Sequence, residues 1–163
     1  MKALIILFIS VSCFSQNIYL SVGADVKNGV LGSNPTNNEP AFDGIYRFGM
    51  IGNGVECVIN YENFNRIKFD RYYLSIGHHI LVTDNFIIIP AYEASLINRW
   101  GNEWKTTSSH LAFLGANIAF RYNVSGKISL ESLTAILNRV DLNARYGGNK
   151  FKISNSINLI YKI

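Results

Sequence analysis

The chain has little cysteine, little proline and few charges. Its 163 residues include two cysteines and three prolines, and Asp, Glu, Lys and Arg together make up 16%. One cysteine, Cys13, falls in an apolar N-terminal segment, so Cys57 stands alone in the rest of the chain and an intramolecular disulfide is excluded there. Sparse charge combined with 13% aromatic residues does not make a disordered composition. Beyond the N-terminus, no apolar run reaches the ~18–20 residues that a membrane-spanning helix requires. The formal charge is +4, yet Lys and Arg are scattered singly, with no basic cluster and no recognition helix, so nucleic acid is not an expected partner.

The N-terminus reads MKALIILFISVSCFSQ. Lys2 supplies a positive end, Ala3 to Phe14 a short apolar stretch, and Cys13 and Ser15 small residues near a cleavage point. These features predict a signal peptide over residues 1–15, cut between Ser15 and Gln16, with a single domain over 16–163. Lipidation of Cys13 is disfavoured, because Ser10 stands three residues before it where a bulky aliphatic is expected. The domain is long enough for a core or a closed barrel.

What the chain does have is a period of two. In NIYLSVGADV, Ile18, Leu20, Val22, Ala24 and Val26 oppose Tyr19, Ser21, Gly23 and Asp25. In DRYYLSIGHHI, Tyr72, Leu74, Ile76 and Ile80 oppose Arg71, Tyr73, Ser75, Gly77 and His79. The same alternation predicts strands near 17–27, 41–52, 54–63, 67–80, 86–98, 109–123, 127–138 and 150–162, with no helix. HLAFLGANIAFRYN puts Ala112, Leu114, Ala116, Ile118, Phe120 and Tyr122 on the apolar side against Gly115, Asn117, Ala119 and Arg121. ISLESLTAIL is least regular, and a bulge is expected between Glu131 and Leu133. Pro90 lacks an N–H, so a bulge or a lost ladder bond is expected there.

Connections alternate too. Tight turns at 51–54 (with Asn53-Gly54), 82–85 and 123–126 would lie at one end, called the lower. Longer segments at 27–40, 98–109 and 139–149, with a brief one at 63–66, would lie at the upper end.

A soluble lipocalin-like barrel would turn the apolar face inward, and a membrane barrel would turn it outward. The polar face mixes Asp43, Arg47, Glu56, Glu93, Arg121 and Lys152 with many Gly, Ala and Ser. Small residues beside a few long charges suit a cramped lumen better than a solvated exterior, where Gly is depleted from strands. Aromatics on the apolar face gather near strand ends: Tyr61, Tyr72 and Phe151 above, Phe86, Phe120, Tyr122 and Tyr161 below. Membrane barrels carry such girdles at headgroup level. The expected fold is an all-β, eight-stranded, antiparallel up-and-down transmembrane barrel.

On these features, and on the terminal IYKI, residues 16–163 resemble the small outer-membrane barrels of the OmpX family and the barrel domain of OmpA. Family members often end in Phe, whereas this chain ends in Ile163. The resemblance implies the outer membrane of a Gram-negative bacterium, contact with lipid and lipopolysaccharide, passage through the barrel-insertion machinery, and a porin-like, structural or surface-binding role. The partner expected at the loops is a surface ligand, a neighbouring cell or a phage, and the barrel itself is expected to be a monomer.

An eight-stranded interior is filled by side chains, which argues against a wide pore. No phosphate loop, zinc spacing or nucleophile elbow is present, so neither cofactor nor metal is expected. His78 and His79 are adjacent in a strand and point to opposite faces, a poor metal pair. Glu103, Ser108, Ser109 and His110 in the 98–109 segment and just after it could serve a lipid A deacylase or acyltransferase on the same scaffold, but a polar loop explains them as well. His110 shares parity with the apolar face in an unbroken strand. Glu93, mid-strand on the polar face, should have a basic partner, and Arg121 and Arg47 are the nominees.

Overall fold

In the computed structural model, residues 17–31, 42–65, 68–100, 108–141 and 151–163 are described. The proposed signal peptide, residues 1–15, lies outside them. Nine strand segments follow in order: β1 (Asn17–Asp25), β2 (Gly44–Gly52), β3 (Val55–Phe64), β4 (Phe69–His78), β5 (Ile80–Thr83), β6 (Phe86–Arg99), β7 (Ser108–Asn123), β8 (Ile128–Asn138) and β9 (Phe151–Lys162). Each pairs antiparallel with its neighbours, and β1 pairs with β9 from Tyr19↔Lys162 to Asp25↔Ser156, which closes the sheet. β4 and β5 both pair with β6 and form one barrel strand between them, so the result is a closed eight-stranded barrel.

The closure is staggered. Following paired residues from Leu96 through Tyr72, Tyr61, Tyr46, Val22, Leu159, Leu130 and Tyr122 returns the path to β6 at Phe86, well below Leu96. That offset tilts the strands against the barrel axis, as closure of a twisted sheet demands.

The interruption between β4 and β5 has a cause in the sequence. Pairing with β6 stops at Gly77↔Ala91 and resumes at Ile80↔Ile88, so the missing rungs fall opposite Pro90 and Ile89. Proline offers no N–H to that ladder. The register is the same on both sides of the gap, so a rung is lost without a bulge. On its other side the strand stays joined to β3, where the His79 N–H donates to the Gly54 carbonyl at 2.7 Å and extends the ladder past Val55↔His78.

The lower hairpin between β2 and β3 turns on Asn53 and Gly54, with φ of 52° and 75°. Left-handed conformation at both central positions is what a two-residue turn needs to match strand twist, and Asn-Gly tolerates it best.

Three expectations are corrected. The bulge lies in β7, not β8: Glu93 pairs with Gly115 but Ser95 pairs with Ala112, so Phe113 and Leu114 together oppose Ala94. Side chains above it change face. Ala112 is buried inside while Leu111 and Phe113 point out. β8 pairs without a shift along its whole length, because Ser132 and Thr134 accept outward positions while Leu133, Ala135 and Leu137 turn inward. Finally, a six-residue helix, α1 (Val26–Leu31), follows β1 where no helix was expected. The Asp25 carboxylate accepts from the Asn28 N–H at 2.8 Å and starts that turn.

The sidedness is that of a barrel in lipid. Leu20, Val22, Ile59, Leu74, Ile76, Leu114, Ile118 and Leu159 all point outward and are 37–64% exposed. An apolar belt of this extent exceeds what a soluble monomer exposes. Tyr46, Tyr61 and Tyr72 stack in sequence across three strands, and Phe86 stacks on Phe120 below. Inside, apolar clusters such as Phe64, Phe69, Ile97 and Ala112 fill the space between polar groups.

Candidate functional site

Among the described residues, the buried charged side chains converge in the lumen, and the pleat puts them there. Arg121 sits on β7 directly opposite Glu131 on β8. Its Nε and Nη2 donate to Glu131 Oε2 at 2.9 and 2.6 Å, while Nη1 and Nη2 donate to the two Glu56 oxygens at 2.8 and 2.9 Å. Arg47 pairs with Glu131 from the opposite wall, lies 3.8 Å from Glu56, and donates Nε to Asn60 at 3.0 Å. Tyr19 donates its hydroxyl to Glu56 at 2.5 Å, and His79 Nε2 meets the other Glu56 oxygen at 2.6 Å. Two guanidinium groups and two carboxylates thus span the lower lumen, and each charge has an opposite neighbour.

Such crowding is possible because some facing positions lack side chains. Tyr19 pairs with Gly49, and a Cβ at Gly49 would overlap the tyrosine ring. Gly23 makes the same room for Asn158.

The upper lumen has its own network. Glu93 pairs with Arg71 and accepts from Asn117 Nδ2 at 3.0 Å. Arg71 also donates to Glu62 at 3.3 Å and lies 3.9 Å over the Tyr73 ring. Glu93 therefore faces the lumen and has an arginine, but neither nominee is that arginine. Arg121 and Arg47 are taken by Glu56 and Glu131 lower down. Arg71 lies above Glu93 on the adjoining wall, where the Ser75↔Glu93 register brings it within reach.

Between the networks lies a cavity of about 10 Å³, bounded by Arg47, Glu56, Ser75 and Asn117 among others. That is room for roughly one water.

At the upper mouth, beyond the strand ends, Asp141 accepts from Arg99 Nε at 2.9 Å and from Arg139 Nε and Nη2 at 2.8 Å. Burial works to raise its pKa, but the hydrogen bonds and charge of Arg139, with the charge of Arg99, outweigh that and hold it at about 2. Asp43 is the reverse case. Burial and then the charge of Glu62 push it up to about 8, although Asn28 Nδ2 donates to it at 2.6 Å.

The candidate hydrolase residues are not assembled in that sense. The β7 bulge turns Ser108 and His110 into the lumen and Ser109 outward, which corrects the expected lipid-facing position of His110. Ser108 Oγ and His110 Nε2 are buried without a hydrogen-bond partner, so they do not form the nucleophile–base contact that such chemistry uses. Glu103 lies outside the described residues. Lys152, paired with Leu137 at the upper rim, is exposed and apart from the lumen pairs. Of the girdle residues, Tyr72, Phe120, Tyr122, Phe151 and Tyr161 are exposed on the outer face, and Tyr61 and Phe86 are half-buried in the stacks. Among the described residues, no three metal-ligating side chains converge.

Sequence reasoning passed over Arg71, Glu62, Glu131 and Tyr19 as network members. Arg71 and Tyr19 already stood on the polar face by parity. Glu131 was obscured by the bulge expected beside it.

No protein-family model and no curated protein matches the sequence. Solved structures do match its shape. The N-terminal β-barrel domain of Pseudomonas aeruginosa OprF superposes with a TM-score of 0.60 at 9% identity, covering 92% of this chain and 99% of that one. The Yersinia pestis outer-membrane protein Ail, in a phospholipid bilayer nanodisc, gives 0.54 at 8% identity, covering 90% and 99%. A de novo designed transmembrane β-barrel gives 0.54 at 13% identity, covering 91% and 97%. At these identities the likeness is one of fold. With its outward apolar belt and inward charges, the chain has the closed eight-stranded antiparallel β-barrel fold of outer-membrane barrels.

Proposed function

We infer that the protein is a non-enzymatic, integral outer-membrane barrel of a Gram-negative bacterium, with a plugged polar lumen and a structural or surface-binding role. The observation that carries this reading is the Arg121–Glu56–Glu131–Arg47 network, which occupies the lumen from wall to wall with its charges paired. A lumen so filled leaves no path for hydrated solutes, and buried paired charges are commonly structural. The outward belt then contacts lipid and, in the outer leaflet, lipopolysaccharide, and the chain reaches that place through the barrel-insertion machinery. Recognition of a surface ligand, another cell or a phage falls to the segments 27–40, 98–109 and 139–149.

The test combines location with conductance. The protein should fractionate with outer membranes, run faster on a gel unheated than boiled, and give no steady channel current in planar bilayers. Recovery in the soluble fraction, or a sustained open channel from the purified chain, would refute the reading.

A further inference from the structure

The barrel wall is incomplete in one sector. β7 and β8 pair from Asn123↔Ser129 up to Ala116↔Ile136, and there their ladder stops. β7 runs on to Ser108, paired with β6 on its other side, while β8 ends at Asn138 and the chain turns inward at Val140 and Asp141. Among the described residues, the β8 side of β7 from Ser108 to Leu114 has no ladder partner. The notch opens within the apolar belt. Phe113 and Leu114 oppose Ala94, which pairs with Leu74 of the belt. Leu111 pairs with Leu96, which pairs with the girdle residue Tyr72.

Two chemistries meet at this notch. On the outside, the β7 bulge turns Phe113 and Leu114 outward together, and with Leu111 they are 59–64% exposed. Ile136 faces outward on the opposite bank. Along the edge, main-chain N–H and C=O groups lack a ladder where the belt gives way to headgroups, and such groups are costly beside hydrocarbon. Ser108 Oγ and His110 Nε2 on β7 and Asn138 Oδ1 on β8 are buried without a hydrogen-bond partner. The ligand that fits is amphipathic, with apolar chains beside groups that both donate and accept. The ester carbonyls of a glycerophospholipid only accept, whereas Asn138 Oδ1 and the edge carbonyls require donors. Lipid A carries amide N–H and hydroxyl groups at the roots of its acyl chains and supplies both.

We propose that the β7–β8 notch is a binding site for one lipid A molecule of the outer leaflet. Its acyl chains lie on Leu111, Phe113 and Leu114, and its amide and hydroxyl groups meet the β7 edge, His110 and Asn138. The proposal rests on the membrane reading given above and adds to it one fixed lipid among exchangeable ones. A second copy of the chain fits poorly. Two barrels inserted in the same sense, related by a two-fold along the membrane normal, cross their tilted β7 strands instead of aligning them, so the edges form no ladder.

The experiment inserts the full chain into vesicles of phosphatidylethanolamine and phosphatidylglycerol that contain lipid A as a minor component. Native mass spectrometry of the released barrels identifies the lipids each retains. One lipid A per barrel should be held in preference to the more abundant phospholipids. His110→Leu with Asn138→Leu should lower that retention about tenfold, the loss expected for one or two hydrogen bonds. Leu111→Ala with Phe113→Ala, at exposed positions that leave the buried groups intact, should lower it as well. Phe48→Ala with Ile59→Ala, a facing pair on the opposite wall, should leave it unchanged. Heat-modifiable gel mobility reports insertion separately, so a chain that fails to insert refutes the membrane reading, whereas inserted barrels test this site alone. Retention of phospholipid in proportion to its abundance, release as lipid-free barrels or as dimers, or lipid A retention indifferent to both notch variants would overturn the proposal.

Discussion

Glu93 faces Gly115 across the β6–β7 ladder, and the carboxylate occupies the space that a side chain at 115 would take. A Cβ placed on Gly115 would stand 2.5 Å from Glu93 Cγ and 2.8 Å from Oε1. The glycine is what lets Glu93 lie against the wall and reach both Arg71 and Asn117. Gly115→Val should therefore destabilise the barrel by ~1–3 kcal/mol through overpacking, measured as urea unfolding in lipid vesicles. Unchanged stability would mean that Glu93 has other space available.

Glu93→Ala should cost more, ~3–5 kcal/mol, because Arg71 is left with Glu62 alone in a closed lumen. Arg71→Met with Glu93→Leu, which removes both charges of the pair, should recover most of that loss in the same unfolding assay. A double variant less stable than Glu93→Ala would contradict the pairing.

The lower network predicts a channel phenotype. Arg121→Ala leaves Glu56 and Glu131 with Arg47 as their remaining guanidinium, a negative excess in a lumen vacated by a large side chain. Cation-selective current should appear in planar bilayers where the wild type is silent. Stability should fall by ~3–5 kcal/mol in parallel. Silence from a correctly inserted variant would show that other side chains seal the lumen.

The upper mouth should respond to pH in opposite ways at two carboxylates. Asp43, raised to about 8, contributes stability that is fully present below its unfolded value near ~3.9 and is lost as pH rises through about 8. Asp141, held at about 2, contributes stability present above ~3.9 and lost as pH falls through about 2. Hydrogen-exchange protection at the Asp25 amide, which donates to the Asp43 carbonyl at 3.1 Å, should drop between pH 7 and 9. In Asp43→Asn that drop should vanish. An identical decline in the variant would assign the effect elsewhere.

Much of this architecture was legible because a strand repeats every two residues and a barrel has two chemically distinct faces. Tyr72, Leu74 and Ile76 against Arg71, Tyr73 and Ser75 settle which side of β4 meets lipid. Pro90 announced the lost rung beside His79, since a missing donor is a property of the residue itself. The bulge at Phe113–Leu114 was not legible. Both residues are apolar and suit an outward position, so alternation reads smoothly through the point where it breaks, and His110 was assigned to the wrong face. β8 failed in the opposite direction. Its outward Ser132 and Thr134 and inward Leu133 imitate a register shift, because polarity there follows local contacts rather than the two-sided rule. The partner of Glu93 escaped for a third reason: parity fixes the face of a side chain but not its height, which the strand stagger decides.

Which face of the barrel meets lipid can be read directly with spin labels. Single cysteines at Tyr73, Leu74, Ser75 and Ile76, in a Cys57→Ser background, would be labelled in barrels reconstituted in vesicles, with collision by oxygen and by a water-soluble nickel complex recorded. Oxygen accessibility should peak at Leu74 and Ile76 and fall at Tyr73 and Ser75, with the nickel complex excluded from the two outward sites. Labels at Leu74 and Ile76 that collide freely with the nickel complex, or that show no period of two, would contradict a barrel whose apolar face lies in the membrane.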